Sequence, residues 1–140
     1  MWVNNNWFSI FQKGKIHSLS SKTTQKHFTP TSSLKMIAKT PPPPYFAVIF
    51  TSLRTEVDEN YSEMATWMVQ LAQEQEGYLG HESAREGVGI TVSYWKDLES
   101  IRKWKAHSDH LLAQKLGREK WYSGYKTRIA RVERDYEFEK

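Results

Sequence analysis

The chain has 140 residues, 39% apolar and 14% aromatic, which suits one packed domain and excludes global disorder. It has no cysteine, so disulfides, thiolate metal sites and a cysteine nucleophile are excluded. The net charge of +4 resides entirely in residues 1–44, with six lysines and no acid; residues 45–140 carry 14 basic and 16 acidic groups, a net of −2, without the basic bias of a nucleic-acid binder.

Residues 1–44 are rich in Ser, Thr, Lys and Asn and show neither helical period nor strand alternation, so they read as a disordered leader. Pro41–Pro44 form a stiff extended spacer at its end. A translation start at Met36, a dispensable tail and an organelle transit peptide are the three readings, the last weakened by the absence of arginine. No run approaches the roughly 18 apolar residues of a membrane-spanning helix. Lack of cysteine fits a reducing compartment, and the expected location is cytoplasmic.

The stretch Tyr45 to Leu53 is apolar on both alternating faces, the pattern of a strand covered on both sides. Asp58, Glu59 and Glu63 gather where a helix begins, and acids there complement its positive end. Tyr61, Met64, Ala65, Met68, Leu71 and Ala72 recur at helical spacing up to about Glu76, and Gly77 stops the helix. Tyr78 to Arg85 is a second strand, Glu86-Gly87 a hairpin turn, and Gly89 to Trp95 a β-branched and aromatic third strand.

Asp97 caps the next helix, which buries Leu98, Ile101 and Trp104. Ser108-Asp109 is a fresh cap, so this helix breaks near His107 and restarts to about Leu116. Gly117 loosens it, Arg118 to Tyr125 add a turn or two, and a last strand runs from Lys126 to Phe138 with Ala130, Val132, Tyr136 and Phe138 on one face. The order β-α-β-β-α-β is ferredoxin-like: an α+β domain over residues 45–138 with a four-stranded antiparallel sheet. Its helices cover only one sheet face. The first strand is apolar on both, so a second copy of the sheet is the simplest cover, giving a homodimer built as a dimeric α+β barrel.

The run Tyr94-Trp95-Lys96-Asp97-Leu98-Glu99-Ser100-Ile101-Arg102-Lys103-Trp104-Lys105 resembles the third-strand-to-helix segment of antibiotic biosynthesis monooxygenase (ABM) domains. His107, His110, Gln114, Gly117-Arg118, Trp121-Tyr122 and Tyr125 are similar to an uncharacterised bacterial branch of that family. The resemblance covers about Tyr45 to Phe138. It implies cofactor-free oxygenation of a small aromatic substrate, haem degradation, or no activity, because the family includes all three. The haem-degrading branch uses an Asn on the first strand, a Trp after the third and a His on the second helix. Trp95 matches the Trp, but Tyr45 to Leu53 holds no Asn and the His position falls near Gln114 or Lys115. Haem is therefore disfavoured, and no cofactor is expected.

His107 and His110 are the candidate bases, since histidine changes charge near neutral pH and suits proton abstraction from a phenol. The bland alternative is that one caps a helix end and the other meets solvent. Their spacing is a poor metal site without two further ligands. Trp95, Tyr94, Trp104, Trp121, Tyr122 and Tyr125 are candidates to line a flat aromatic pocket, against core and interface packing as the rival role. Arg118 is a candidate partner for an anionic substrate oxygen, or for Glu119 or Asp109 on the surface. The first functional expectation is a cofactor-independent monooxygenase acting on a phenol or anthrone. The second is a non-enzymatic dimer that binds a small aromatic ligand in the same pocket.

Overall fold

The computed structural model describes residues 37–140, and the expectations for a leader, a start at Met36 or a transit peptide fall on or run into residues 1–36, outside that range. The described elements are β1 (Tyr45–Arg54), α1 (Tyr61–Gln73), β2 (Tyr78–Glu86), β3 (Val88–Trp95), α2 (Leu98–Ala106), α3 (Ser108–Leu116), a π-helical turn (Gly117–Trp121) and β4 (Tyr122–Val132). The strands form one antiparallel sheet in the order β2-β3-β1-β4, the ferredoxin-like arrangement read from the sequence. Among these residues no helix is long and apolar enough to cross a membrane.

The expected break in the second helical segment is present. Asp97 accepts from Ser100 N at 2.7 Å to start α2, which ends at Ala106, and His107 caps α3 through its side chain. α1 opens differently from a side-chain-capped helix. Its cap is Asn60 at φ 60° with no side-chain bond, and Asp58 instead accepts from Arg54 at 2.7 Å. The last strand corrects the sequence expectation. β4 starts at Tyr122 rather than Lys126 and ends at Val132, so the extra helical turns stop at Trp121. Tyr136 and Phe138 lie beyond the strand, 89% and 81% exposed. The reason is the pairing of Tyr122 with Arg54, which extends the ladder past the irregularity at Leu53 and Arg54.

Pairing fixes which side chains share a face, because opposed residues in an antiparallel ladder project the same way. Trp95 stacks on Trp104 of α2 at 6.2 Å and is fully buried, so its face is the helix side. Phe46, Val48, Phe50 and Ser52 share that face, with His81, Ser83 and Arg85 on β2 and Tyr125, Thr127 and Ile129 on β4. The other face carries Tyr45, Ala47, Ile49 and Leu53, with Tyr94, Val92, Ile90 and Val88.

That second face is covered at one end by the chain's own flanks. Tyr45 and Ala47 are each 5% exposed. Tyr45 OH donates to Asp135 at 2.8 Å and receives Thr40 Oγ1 at 3.2 Å, Ala38 N donates to Glu82 at 3.0 Å, and Lys39 lies 3.6 Å from Glu137. The other end is bare: Leu53, Val88 and Ile90 are 49%, 46% and 45% exposed. The apolar alternation of β1 is thus satisfied partly within one chain, by segments at Ala38–Thr40 and Asp135.

Gly77 joins α1 to β2 at φ +84°, and its carbonyl accepts from Lys96 N at 2.7 Å. A Cβ there would run into the side chain of Ser100, which is buried and held by Asp97. Gly87 in the hairpin has a similar φ of +74° but open space around it. Gly77→Ala is therefore expected to cost about 2–4 kcal/mol, from backbone strain and collision together. Gly87→Ala should cost about 1 kcal/mol, from strain alone. Urea unfolding midpoints of the two variants check the ranking.

Candidate functional site

Two aromatic groups occupy the helix side of the sheet. At the β3 C-terminal end, Trp95 stacks on Trp104 with a 26° interplanar angle and takes the edge of Tyr78 at 5.4 Å. Its indole N–H donates to Ser93 Oγ at 2.9 Å. On Trp104 stacks His110, 4.3 Å between centroids and 16° between planes, with His107 at 5.7 Å beside it. Three rings thus form a column running from the sheet into the break between α2 and α3.

The two histidines have opposite hydrogen-bond states. His107 Nδ1 accepts from Asp109 N at 3.3 Å, which makes it the cap of α3 and occupies that lone pair. His110 Nδ1 lies 2.9 Å from Trp104 O, and a carbonyl only accepts, so Nδ1 carries the proton. The neutral ring then keeps its lone pair on Nε2. Burial pushes the His110 pKa below the ordinary histidine value, reinforced by repulsion from His107 and only partly offset by the bond to Trp104 O. His110 is therefore a neutral base at pH 7 with a fixed tautomer.

The second group lies toward the hairpin end. Trp121 is 3% exposed, its indole N–H donates to Glu59 O at 3.0 Å, and Tyr61 meets it edge-on at 5.8 Å. Tyr122 OH donates to Tyr61 OH at 3.4 Å. Burial raises the Tyr122 pKa, and the bond to Tyr61 adds to the rise. Phe50 lies 5.4 Å from both Tyr122 and Tyr125. Arg54 lies over the Tyr61 ring at 3.3 Å and donates to Trp121 O, Val57 O and Asp58. Between the two groups on this face lie Val48 and Ser93, and on β4 Tyr125 and Ile129 are 44% and 52% exposed.

The candidates named from sequence are thereby divided. His107, His110, Trp95 and Trp104 come together in the column; Trp121, Tyr122 and Tyr125 come together at the hairpin end. Tyr94 shares neither place. It projects from the opposite face, meets Tyr45 edge-on at 5.8 Å and donates to Glu82 at 2.9 Å. Burial and that carboxylate push its pKa up to about 12. The pleat alone separates it from Trp95, its neighbour in sequence. Arg118 is exposed on the π-helical turn and makes no ion pair among the described residues; Glu119 faces Lys115 instead, at 3.9 Å. Phe50, Ser52 and Arg85 were missed, because only the strand register brings them to this face, and Tyr61 because only the packing of α1 brings it to Trp121 and Tyr122. A shallow hollow of about 390 Å³ on α1, lined by Ser62, Glu63, Thr66, Trp67 and Gln70, shares no residue with either group.

The haem-degrading arrangement does not fit. β1 has no Asn, Gln114 donates to Lys105 O at 3.0 Å, and Lys115 lies near Glu119. Among the described residues no three His, Asp or Glu side chains gather as metal ligands.

No family model matches the chain. It is 47% identical over 108 residues to YqjZ, an uncharacterized protein of Bacillus subtilis, covering 76% of this chain and 95% of that one. Among solved structures, SnoaB of Streptomyces nogalater, a cofactor-independent oxygenase, superposes with a TM-score of 0.58 at 12% identity, over 66% of this chain and 97% of SnoaB. Rv0793 of Mycobacterium tuberculosis gives 0.58 at 9% identity over 66% and 97%. A proposed antibiotic biosynthesis monooxygenase of Deinococcus radiodurans gives 0.58 at 11% identity over 69% and 99%. The sequence and the superpositions together place this chain in the family of YqjZ, with the ferredoxin-like α+β fold of the antibiotic biosynthesis monooxygenases.

Proposed function

We infer that this chain is a cofactor-independent monooxygenase acting on a small aromatic phenol or anthrone, with His110 as its base. The carrying observation is the state of His110: Nδ1–H is fixed on Trp104 O, and burial keeps the ring neutral with Nε2 free to take a proton. An anthrone losing a proton to Nε2 becomes an electron-rich anion, which passes one electron to O2. The radical pair joins to a peroxide anion, which takes the proton back from Nε2 to become a hydroperoxide. Its carbon-bound hydrogen then leaves as a proton, the O–O bond breaks, and the departing hydroxide and that proton form water, leaving the quinone. The oxygenase fold of SnoaB supports this reading.

In this reading the substrate lies in a trough over Val48 and Ser93, uncovered toward the exposed Tyr125 and Ile129, and such chemistry favours a dry site. A homodimer would cover the other face of the sheet. Its interface in this reading is the bare end of the non-helix face, where Leu53, Val88 and Ile90 are exposed. Ile90→Lys is expected to shift the full-length chain from dimer to monomer in sedimentation velocity; a dimer that persists in this variant, or a monomeric wild type, counts against that interface.

The second reading is a non-enzymatic binder of aromatic ligands on the same face, and neither reading can use Trp95 as expected. Trp95 is fully buried beneath Trp104, so it offers no ring face to a substrate. Oxygen uptake separates the two. With anthrone panels, His110→Asn keeps a donor for Trp104 O but has no lone pair at the Nε2 position, and kcat is expected to fall about 10²–10⁴-fold with KM little changed. His107→Ala should act on stability, costing about 0.5–2 kcal/mol as a lost cap. No uptake by the wild-type chain, alongside ligand-induced quenching of tryptophan fluorescence, would leave the binder.

The lowered pKa of His110 also sets a sign for stability against pH. The unfolded chain takes up the proton first, near about pH 6.5. Stability from the neutral buried ring is therefore present above that pH and lost as pH falls through the lower folded value. Urea midpoints between pH 7 and pH 5 should fall more steeply for the wild type than for His110→Asn.

A further inference from the structure

One row across the sheet places four residues side by side on the helix face: Arg85 on β2, Gly89 on β3, Ser52 on β1 and Tyr125 on β4. Arg85 and Ser52 stand two strand spacings apart, roughly 10 Å. The arginine still reaches: Nη2 donates to Ser52 Oγ at 2.7 Å and Nη1 to Ser52 O at 3.3 Å. It can do so because residue 89 has no side chain. A Cβ on Gly89 would coincide with the Arg85 guanidinium, which lies flat across β3 in the space left free.

The anchor is rigid and neutral. Ser52 is 2% exposed, and both its contacts to Arg85 come from uncharged oxygens. A guanidinium has five N–H donors, and the other three are not used by Ser52. Arg85 makes no ion pair among the described residues, whereas Arg54, on the same side of the sheet, is spent on Asp58, Val57 O, Trp121 O and the Tyr61 ring. Arg85 itself is exposed, so a positive fork held by Ser52 and without a counter-charge among the described residues lies on the helix face of the sheet. Next to it stand Phe50 and Tyr125, 5.4 Å apart and tilted by 41°. Phe50 is two residues before Ser52 on the same strand face, and Tyr125 is directly opposite Ser52.

We propose that Arg85, laid over Gly89 and held by Ser52, is an anion subsite that binds the carboxylate of a planar aromatic acid whose ring rests against Phe50 and Tyr125. A planar fork matches two carboxylate oxygens at once, and the adjacent rings offer the flat apolar surface that the rest of such a molecule needs. This deepens the functional reading and rests on it: the trough takes an aromatic substrate, and Arg85 selects one bearing a negative charge. It gives the anion-binding role to Arg85 and not to Arg118.

The test is calorimetric and uses the full-length chain with 2-naphthoate and its neutral counterpart 2-naphthamide. The wild type is expected to bind the acid about tenfold more tightly than the amide. Arg85→Met should bring the two affinities together while leaving the amide unchanged. Gly89→Ala, which keeps the arginine but pushes its guanidinium off β3, should do the same without deleting a charge. Arg85→Lys should retain part of the preference. Equal binding of acid and amide by the wild type, or a preference that survives both in Arg85→Met and in Gly89→Ala, overturns the subsite and leaves the aromatic trough standing. Absence of binding by either compound to the wild type overturns the subsite and the trough together.

Discussion

β1 is hydrogen-bonded on both edges, to β3 and to β4, so its side chains have only two directions to take. Nine of its ten residues are buried or partly buried, and everything else in the domain is arranged to cover one of its two faces. On one side, Phe50 is met by Tyr122 and Tyr125 and Ser52 by Arg85. On the other, Tyr45 and Ala47 are met by Ala38–Thr40 and Asp135. Polar groups fill the gaps where apolar cover ends. Ser52 holds Arg85, Tyr45 holds Asp135, and Tyr94 holds Glu82. The candidate site is the incompletely covered part of the helix face, and the proposed interface is the incompletely covered part of the other.

Histidine chemistry follows from the same packing. Without the break after Ala106, α2 and α3 would be one helix, and His107 would have no orphan amide to cap. The break lets Trp104 O, near the end of α2, receive a side-chain donor from the following helix. His110 supplies it, and the two aromatic planes come to lie nearly parallel on one another. A structural need at a helix end thus selects the tautomer that a general base requires.

Local chemistry made much of the fold legible. Asp97 marks a helix start through capping, Gly77 marks a stop, and Gly87 marks the hairpin, because each acts within a few residues of itself; the restart of α3 was expected of Ser108-Asp109, but His107 is the residue that caps it. The start of β4 was not legible, since Tyr122 to Tyr125 become strand only by pairing with Ser52 to Arg54, some 70 positions away. The site shows the same division. His107 and His110 were readable from the break between them. Tyr94 and Trp95 looked like one group and are split by the pleat. Arg85, Gly89 and Ser52 are individually ordinary, and only the register of three strands brings them into one row.

The central position of β1 also bears on how the chain is made. Synthesis delivers β1 first of the strands and β4 last, and β4 pairs with β1. Until Val132 has emerged, a nascent domain holds its most apolar strand as an open edge, with free amides and carbonyls available to any neighbouring chain. A ribosome that stalls within β4, or a protease that removes it, would release a chain prone to edge-to-edge association. The last eleven-residue strand is therefore the protection of the first as well as its partner.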